Sequence, residues 1–269
     1  MRLDGVEPVI GLGHEDAESG GTLSGAEGIS IAYRRSRGKP GLPGVVFMGG
    51  YRSDMTGSKA QALARFCAVS GQPYLRFDYR GHGASTGRFE DAAIGDWLAD
   101  SLSVIDRLTQ GPQILVGSSM GGWLALLAAL VRASRIAGLV LIAPGVDFTE
   151  ALVWDRLDAA ARQTLQSEGA LRLPSAYDPE GYLFTRRLIE EGRAHLLLGG
   201  PIGIACPVRL LHGTEDGDVP HALSLRLLEA LSGSDARLTL VKGEGHRFST
   251  PPALALIEAA VAELSGAAS

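Results

Sequence analysis

The feature that most constrains the fold is a Gly-x-Ser-x-Gly motif at residues 117–121, which lies between two segments of different periodicity. An apolar run at 114–116 precedes the motif, and a helical pattern follows at 123–133. A strand that turns sharply into a helix lifts the residue at the turn into solvent, and the flanking glycines allow the close approach that this turn needs. Ser119 would lie at the helix N-terminus, where backbone N–H groups favour a developing negative charge. The motif therefore predicts Ser119 as a nucleophile.

Strand-like and helix-like segments alternate along most of the chain. Strand-like segments occur at 29–34, 45–48, 74–77, 114–116, 137–143, 208–212 and 238–241, and further helical patterns at 58–69, 91–108 and 251–264. This alternation predicts an α/β fold with a mostly parallel central sheet flanked by helices on both faces. Residues 11–28 are rich in glycine, serine and acidic residues, and we interpret them as a hairpin turn or a loop.

Residues 145–205 break this alternation. They contain helical patterns at 151–166 and 182–198 but no convincing strand, and they fall between two core strands at the expected C-terminal edge of the sheet. We therefore expect a core formed by 1–144 and 206–269, with 145–205 as a small helical lid over the site. A pair of ordinary packing helices is the alternative.

Composition excludes several classes of function. The 269 residues suffice for one α/β domain, the net charge of −5 offers no basic surface for nucleic acid, and no apolar run reaches the length of about 20 residues that spans a bilayer. Cys67 and Cys206 lie in apolar contexts, and we interpret them as buried thiols in a reducing cytoplasm. The first residues resemble neither a signal peptide nor an arginine-rich transit peptide, so we expect a cytoplasmic protein. No Cys/His cluster has metal spacing, and no metal or cofactor is expected.

A nucleophilic serine needs a base that accepts its proton and an acid that holds the base in one tautomer. After a serine turn of this type the chain order is serine, acid, histidine. His246 lies in a glycine-rich loop between the last strand and the last helix, where a base can reach Ser119. Of the other downstream histidines, His195 lies in the expected lid, His212 ends a strand as a packed or hydrogen-bonded residue, and His221 begins a helix. The order and position favour His246 as the base.

The acid is expected just after the strand at 208–212. Asp216 lies in the tight turn that follows it, where a side chain can point toward the site. Glu215 and Asp218 flank it and are interpreted as solvated acids near a helix start. Asp147 or Glu150, after the preceding strand, is the alternative.

The oxyanion that forms on attack needs two backbone N–H donors. One is expected from Met120, directly after the nucleophile, and the other from Tyr51 in the loop after the strand at 45–48. The glycine pair before Tyr51 allows the backbone to approach a substrate closely, although it also suits a plain turn.

A second glycine-containing loop occurs at 78–85. Its histidine, His82, precedes Ser119 and is in the wrong order for the base of this triad. We interpret the loop as scaffold that Asp78 or Arg80 orders.

Taken together, these features resemble the α/β-hydrolase fold over residues 29–260. The segments 47–60, 76–83, 111–123 and 209–220 resemble one branch of it, which contains the animal mitochondrial palmitoyl-protein thioesterase, also described as an acyl-glucuronide esterase, and bacterial relatives. The resemblance implies Ser119, Asp216 and His246 as nucleophile, acid and base. It also implies hydrolysis of carboxylic esters or thioesters, without a cofactor, on a small-molecule or acylated-protein substrate.

The resemblance is weakest where substrate choice is decided. The lid segment differs in character from that of the animal enzyme, so acyl-chain or glucuronide preference does not carry over. The same triad also serves carbon–carbon bond hydrolysis, lipid cleavage and peptidase action, and a hydrolase-like shell that only binds a ligand is a non-enzymatic alternative.

Overall fold

The structure, a computed structural model, describes residues 18–25, 28–175 and 178–266. A sheet of eight strands forms its centre, in the order β1-β2-β4-β3-β5-β6-β9-β10. These strands are β1 Ser19–Ser24, β2 Ser30–Ser36, β3 Gly44–Met48, β4 Tyr74–Phe77, β5 Gln113–Ser118, β6 Ile136–Ile142, β9 Val208–Gly213 and β10 Ala236–Val241. All pairs from β4 to β10 are parallel, whereas β1 and β2 add to the sheet in antiparallel fashion.

Helices cover both faces of this sheet. They are α1 Ser58–Ser70, α2 Ile94–Leu108, α3 Met120–Val131, α4 Ala159–Glu168, α5 Arg186–Gly192, α6 His221–Ala230 and α7 Pro251–Gly266. Helices α2 and α3 pack in one apolar cluster, and α1 and α7 contribute to a second cluster that includes the other side of β3, β5 and β6. Strands buried on both faces read as continuous apolar runs, which is why β3, β5 and β6 are so apolar.

The predicted α/β class and the mostly parallel sheet are confirmed. Predicted helices at 58–69 and 251–264 match α1 and α7 to within two residues. In the segment 11–28, residues 19–24 form strand β1, because Ser19–Ser24 pairs with β2 over its whole length. The remainder of that prediction, at 11–17 and 26–27, lies outside the described residues.

The segment 145–205 differs from the sequence-based expectation of helices alone. After a π-helical turn at Thr149–Val153, a 3-10 turn at Trp154–Arg156 and helix α4, the chain forms an antiparallel pair of strands, β7 Ala170–Leu173 and β8 Tyr182–Thr185. Helix α5 follows. The helical pattern predicted at 182–198 therefore contains a strand at its start. Four-residue strands are too short for period-2 alternation to stand out from a helical pattern, and that is why the hairpin was missed.

Among the described residues, no helix combines the length and the apolar character needed to cross a membrane.

Candidate active site

Ser119 occupies the sharp turn between strand β5 and helix α3. Its φ of 54° is in the left-handed region, which non-glycine residues rarely adopt. The turn is tight on both sides: a Cβ at Gly117 would approach the carbonyl oxygen of Gly121 to 2.3 Å, and one at Gly121 would approach that of Met48 to 2.1 Å. Only glycine fits at these two positions, so the motif predicted from the sequence follows from packing at the turn.

His246 lies beside this serine. Its Nε2 is 3.0 Å from Ser119 Oγ, and its Nδ1 is 2.7 Å from Asp216 Oδ2. The carboxylate can only accept, so Nδ1 carries a proton and Nε2 is available to accept the one on Ser119 Oγ. The structure thus brings together the three residues that the sequence predicts as nucleophile, base and acid, in a geometry suited to proton transfer from the serine.

Asp216 is surrounded by hydrogen-bond donors. Its side chain is fully buried; Oδ1 accepts from the N–H groups of Asp218 (2.9 Å) and Val219 (2.8 Å), and Oδ2 accepts from His246 and from His212 Nε2 (3.0 Å). Burial alone would raise the pKa of Asp216. The hydrogen bonds from His212 and His246 outweigh burial and hold that pKa well below its usual range. The acid is therefore ionised at neutral pH.

His212 is the ring that sequence reasoning placed as packed or hydrogen-bonded, and it is both. It is fully buried at the end of β9, and its Nε2 lies 3.0 Å from the carbonyl of Val219 as well as from Asp216. Both neighbours accept, so Nε2 carries a proton, and Nδ1 accepts from the Ser224 hydroxyl at 2.7 Å. His212 therefore holds the Asp216 carboxylate through Oδ2, the same oxygen that His246 contacts.

The competing candidates lie elsewhere. Asp147 accepts hydrogen bonds from the N–H groups of Leu197 and Leu198, and Glu150 pairs with Arg193. His195 Nε2 lies 2.7 Å from Glu191 within the 145–205 segment. The contacts of Asp147 and Glu150 tie residues 193–198 to the segment that follows β6, and the contact of His195 lies within residues 191–195. Each of these alternatives therefore has a structural role.

The two predicted oxyanion donors flank the serine turn. Met120 is the first residue of α3, and Tyr51 lies in the loop after β3. Within the described ranges, neither backbone N–H donates to another protein group. A Cβ on Gly50 would lie 3.3 Å from Ser119 Cβ, so the Tyr51 loop packs directly against the nucleophile. Both N–H groups therefore remain available as donors near Ser119, as an oxyanion hole would require.

A cavity of about 830 Å³ opens at Ser119 and His246. The wall that the 145–205 segment contributes is mainly apolar, with Phe148, Leu152, Val153, Leu157, Leu173, Tyr182 and Phe184, and it also includes Arg156 and Asp178. The core contributes a charged rim of Arg52, Asp54, Lys59, Asp218 and Arg247, in which Arg52 pairs with Asp178 at 3.5 Å. A substrate with one apolar and one polar end fits this division.

Lys59 is a residue of the cavity that sequence reasoning missed. Its Nζ donates to the carbonyl of Arg247, the residue after the candidate base. Burial, with a smaller contribution from the charge of Arg247, lowers the pKa of Lys59 to about 8. Lysine is common on exposed helix surfaces, so nothing in the sequence indicates that Lys59, in the first turn of α1, lines the cavity.

Asp216, Asp218 and His246 also offer donor atoms that lie within 4.8 Å of one another, as a metal site would require. Two of these residues, Asp216 and His246, are hydrogen-bonded to each other, so a metal would compete with the acid–base pair. The cluster is explained by that pair.

Comparisons with known proteins identify the family and the fold of this chain. A sequence profile of the family described as alpha/beta hydrolase fold matches residues 40–172. The bovine mitochondrial palmitoyl-protein thioesterase ABHD10 is 41% identical over 222 residues, which cover 81% of this chain and 71% of the bovine one. The crystal structure of a putative hydrolase from Agrobacterium vitis S4 superposes with a TM-score of 0.88 at 39% identity, covering 93% of this chain and 99% of the other. The structure of the mouse alpha/beta hydrolase domain-containing protein 10 superposes with a TM-score of 0.87 at 37% identity, covering 93% of this chain and 100% of the mouse chain.

One prediction from the sequence is wrong. The animal relatives, 40–41% identical, are named as mitochondrial proteins, which points away from the cytoplasmic location expected above. Cys67 and Cys206 form no disulfide, but free thiols do not distinguish the cytoplasm from another reducing compartment.

The profile match, the 41% identity to the bovine thioesterase over most of both chains and the superposition on the mouse structure agree with one another. The chain therefore belongs to the α/β-hydrolase family, in the branch of the mitochondrial palmitoyl-protein thioesterase ABHD10, and is an ester-bond hydrolase.

Proposed function

We propose that this protein cleaves carboxylic esters or thioesters through an acyl-enzyme intermediate on Ser119. The observation that carries the proposal is the continuous chain of hydrogen-bond distances from Ser119 Oγ through His246 to Asp216, 3.0 and 2.7 Å long. In this arrangement His246 is the base, Asp216 is the acid that orients it, and the N–H groups of Met120 and Tyr51 form the oxyanion hole.

The proposed reaction has two halves. His246 Nε2 accepts the Ser119 proton as Oγ attacks the acyl carbonyl, and the two N–H groups stabilise the resulting oxyanion. As the carbonyl re-forms, the bond to the alcohol or thiol breaks and His246 gives its proton to that leaving group. Water, deprotonated by the same imidazole, then attacks the acyl-enzyme. The bond between Ser119 Oγ and the acyl carbon breaks, His246 returns the proton to Oγ, and the carboxylic acid leaves. Asp216, ionised throughout, stabilises the imidazolium that forms in each half.

We propose further that residues 145–205 act as a lid on a core formed by 1–144 and 206–269. The support for this is the position of the segment between β6 and β9 and its apolar wall over Ser119. The acyl group would lie against this wall, and the leaving group would face the charged rim. The relatives are named for palmitoylated proteins, and we propose long-chain acyl thioesters, on proteins or small carriers, as the first substrates to test.

The test is a substrate panel with a matched pair of serine variants. The panel contains p-nitrophenyl esters of increasing chain length, S-palmitoyl peptides, acyl-CoA and a monoacylglycerol, and kcat/KM ranks them. Ser119→Ala should lower kcat by a factor on the order of 10⁴ or more. Ser167→Ala, an exposed serine bonded only within α4, is the control and should match the parent protein. Near-parental turnover by Ser119→Ala would contradict the proposal that Ser119 is the nucleophile.

A further inference from the structure

His82 is a buried ring beside the loop that carries Tyr51, and its polar atoms have no part in the mechanism above. It is 4% exposed. Its Nδ1 lies 3.2 Å from the carbonyl of Arg80, and its Nε2 lies 3.2 Å from the backbone N of Arg52. A carbonyl only accepts, so Nδ1 carries the proton and Nε2 accepts from the Arg52 N–H. Burial lowers the pKa of His82 to about 4, and the ring stays neutral in this one tautomer near neutral pH.

The Arg52 N–H belongs to a tight turn. The N–H of Ser53 donates to the carbonyl of Gly50 at 3.2 Å, and Arg52, the third residue of this turn, has a φ of 54°. A type II turn needs a positive φ at its third position, where glycine is the usual residue. Arginine adopts that conformation at a cost in free energy, so the turn depends on contacts outside it. The hydrogen bond to His82 is one such contact.

The same turn decides where the Tyr51 N–H points. The hydroxyl of Ser53 also donates to the Gly50 carbonyl, at 3.0 Å. Two donors of Ser53, its N–H and its hydroxyl, therefore hold this carbonyl toward Ser53. In a trans peptide the carbonyl and the N–H point in opposite directions. The N–H of Tyr51 therefore points away from Ser53. Because Gly50 packs against Ser119, a small rotation of this turn would move the Tyr51 N–H relative to the nucleophile.

We propose that His82 is a positioning residue for the oxyanion hole: by accepting the Arg52 N–H, it holds the turn at 50–53 in the conformation that presents the Tyr51 N–H to the reacting carbonyl. This inference rests on the proposed function of Ser119 and Tyr51. His82 precedes Ser119 in the chain and is therefore in the wrong order to be the base of the triad. The hydrogen bond to the Arg52 N–H gives a chemical reason for a histidine at this position.

The alternative is that His82 only fills space. Its ring makes edge contacts with the rings of Tyr79, Phe89 and Trp97, at centroid distances of 5.5, 5.0 and 5.3 Å. A phenylalanine would serve that packing role and would leave the Arg52 N–H without its acceptor. A glutamine, whose side-chain oxygen reaches about as far as Nε2, would keep an acceptor and lose the ring. The two roles therefore predict opposite results for these two substitutions.

The experiment compares His82→Phe and His82→Gln with the parent protein on a short-chain p-nitrophenyl ester. Loss of a whole oxyanion donor costs about 10²–10³ in kcat, and a displaced donor costs less. We expect His82→Phe to lower kcat about 10- to 100-fold with KM within about twofold, and His82→Gln to recover to within about fivefold of the parent. A trifluoromethyl ketone, which forms an oxyanion with Ser119, should bind His82→Phe more weakly by the same factor as the fall in kcat. The product carboxylate should bind the parent protein and His82→Phe with equal affinity.

Ser85→Ala is the matched control for destabilisation of the same loop. Its hydroxyl accepts from the N–H of Ala32 (2.8 Å) and donates to the carbonyl of Asp78 (2.6 Å), and neither of these bonds involves the turn at 50–53. This variant should lower Tm and leave kcat unchanged. If His82→Phe does not fold, His82→Asn, which can still reach Arg80 but not Arg52, takes its place with the same expected result.

Parental kcat in His82→Phe, or a loss in His82→Gln as large as in His82→Phe, would overturn the inference. Parental affinity for the trifluoromethyl ketone despite a lower kcat would also overturn it. These outcomes are distinct from failure of the proposed function, which would appear as hydrolysis that does not depend on Ser119.

Discussion

The ring of His212 lies 3.0 Å from the Oδ2 atom of Asp216, the same oxygen that His246 Nδ1 contacts at 2.7 Å. One buried carboxylate oxygen is thus shared by two imidazoles, of which only one reaches the nucleophile. The second fixes the direction of the carboxylate and supplies part of the stabilisation of its charge.

Removal of the His212 contact should slow the reaction without changing substrate binding. In His212→Phe, Asp216 loses one donor and the buried hydroxyl of Ser224 loses its acceptor. We expect kcat to fall about tenfold with KM nearly constant, and Tm to fall, because hydrogen bonds to charged groups contribute about 1.5–3 kcal/mol. Glu215→Gln, at the exposed neighbouring acid, is the control. A parental kcat in His212→Phe would show that the carboxylate keeps its direction without this ring.

Neutralisation of Asp216 should be far more damaging. Asp216→Asn keeps the size of the side chain, but its amide group can donate to His246 Nδ1 and so favours the tautomer with the proton on Nε2. Nε2 could then no longer accept the Ser119 proton, and kcat should fall by about 10³- to 10⁴-fold. Stopped-flow measurement of the first turnover would locate the loss in acylation. A loss below tenfold would contradict the assignment of Asp216 as the acid.

The burial of neutral His82 makes folding stability depend on pH. Its pKa in the folded protein is about 4, below the unfolded value of 6.5, so the unfolded chain binds more protons between these values. Stability from this group is therefore fully present above pH 6.5 and declines as pH falls toward 4. The full shift corresponds to about 3 kcal/mol. Urea unfolding of the parent and of His82→Gln from pH 7 to 4 should show a steeper decline in the parent; parallel curves would contradict the buried neutral ring.

The side chain of Tyr51 connects the loop after β3 to the 145–205 segment. Its hydroxyl donates to the carbonyl of Leu183 in β8, and its ring stacks on Phe184 at 5.3 Å. Tyr51→Phe removes only the hydrogen bond, which is worth about 1 kcal/mol, and keeps the backbone N–H. We expect amide hydrogen exchange in 170–185 to accelerate about fivefold while kcat on an acetyl ester stays within twofold. Tyr182→Phe, the same chemical change in the same cluster, should leave that exchange rate unaltered.

Chain-length preference should respond to the apolar wall of the cavity. Leu152 lines it from the proposed lid. Leu152→Trp would fill part of the cavity volume, so kcat/KM for a palmitoyl ester should fall at least tenfold relative to that for an acetyl ester. Leu130→Trp, at an exposed position of α3, is the control for a bulky substitution. An unchanged ratio of kcat/KM for the palmitoyl and acetyl esters in Leu152→Trp would show that the acyl chain does not bind against Leu152.

The sequence predicts the sheet and the placement of the three site residues well, because both depend on local signals. A Cβ at Gly117 or Gly121 would approach a carbonyl oxygen to 2.3 or 2.1 Å, so both positions require glycine. The strands that precede Ser119 and Asp216 are buried along their whole length. The carboxyl ends of parallel strands lie at the same edge of the sheet. Residues that directly follow these strands in the sequence therefore lie close together in the structure.

Other features depend on contacts between distant segments and leave no local pattern. The hairpin of β7 and β8 exists because two four-residue strands meet each other, and neither is recognisable alone. The bond from the Arg52 N–H to His82 joins residues 30 positions apart, and the Lys59 contact joins residues 188 apart. The sequence indicates only that His82 lies in a scaffold loop, and the contact of its Nε2 atom with the Arg52 N–H shows which turn it contacts.

The central claim is that Ser119 is the residue that becomes acylated. The most direct measurement is peptide mapping by mass spectrometry after reaction with a fluorophosphonate probe, which phosphonylates only an activated serine. We expect one adduct per chain, located on Ser119, with none formed in Ser119→Ala and labelling slowed by at least about 10³-fold in His246→Ala. An adduct on another serine, or a Ser119 that remains unmodified in hydrolytically active protein, would contradict it.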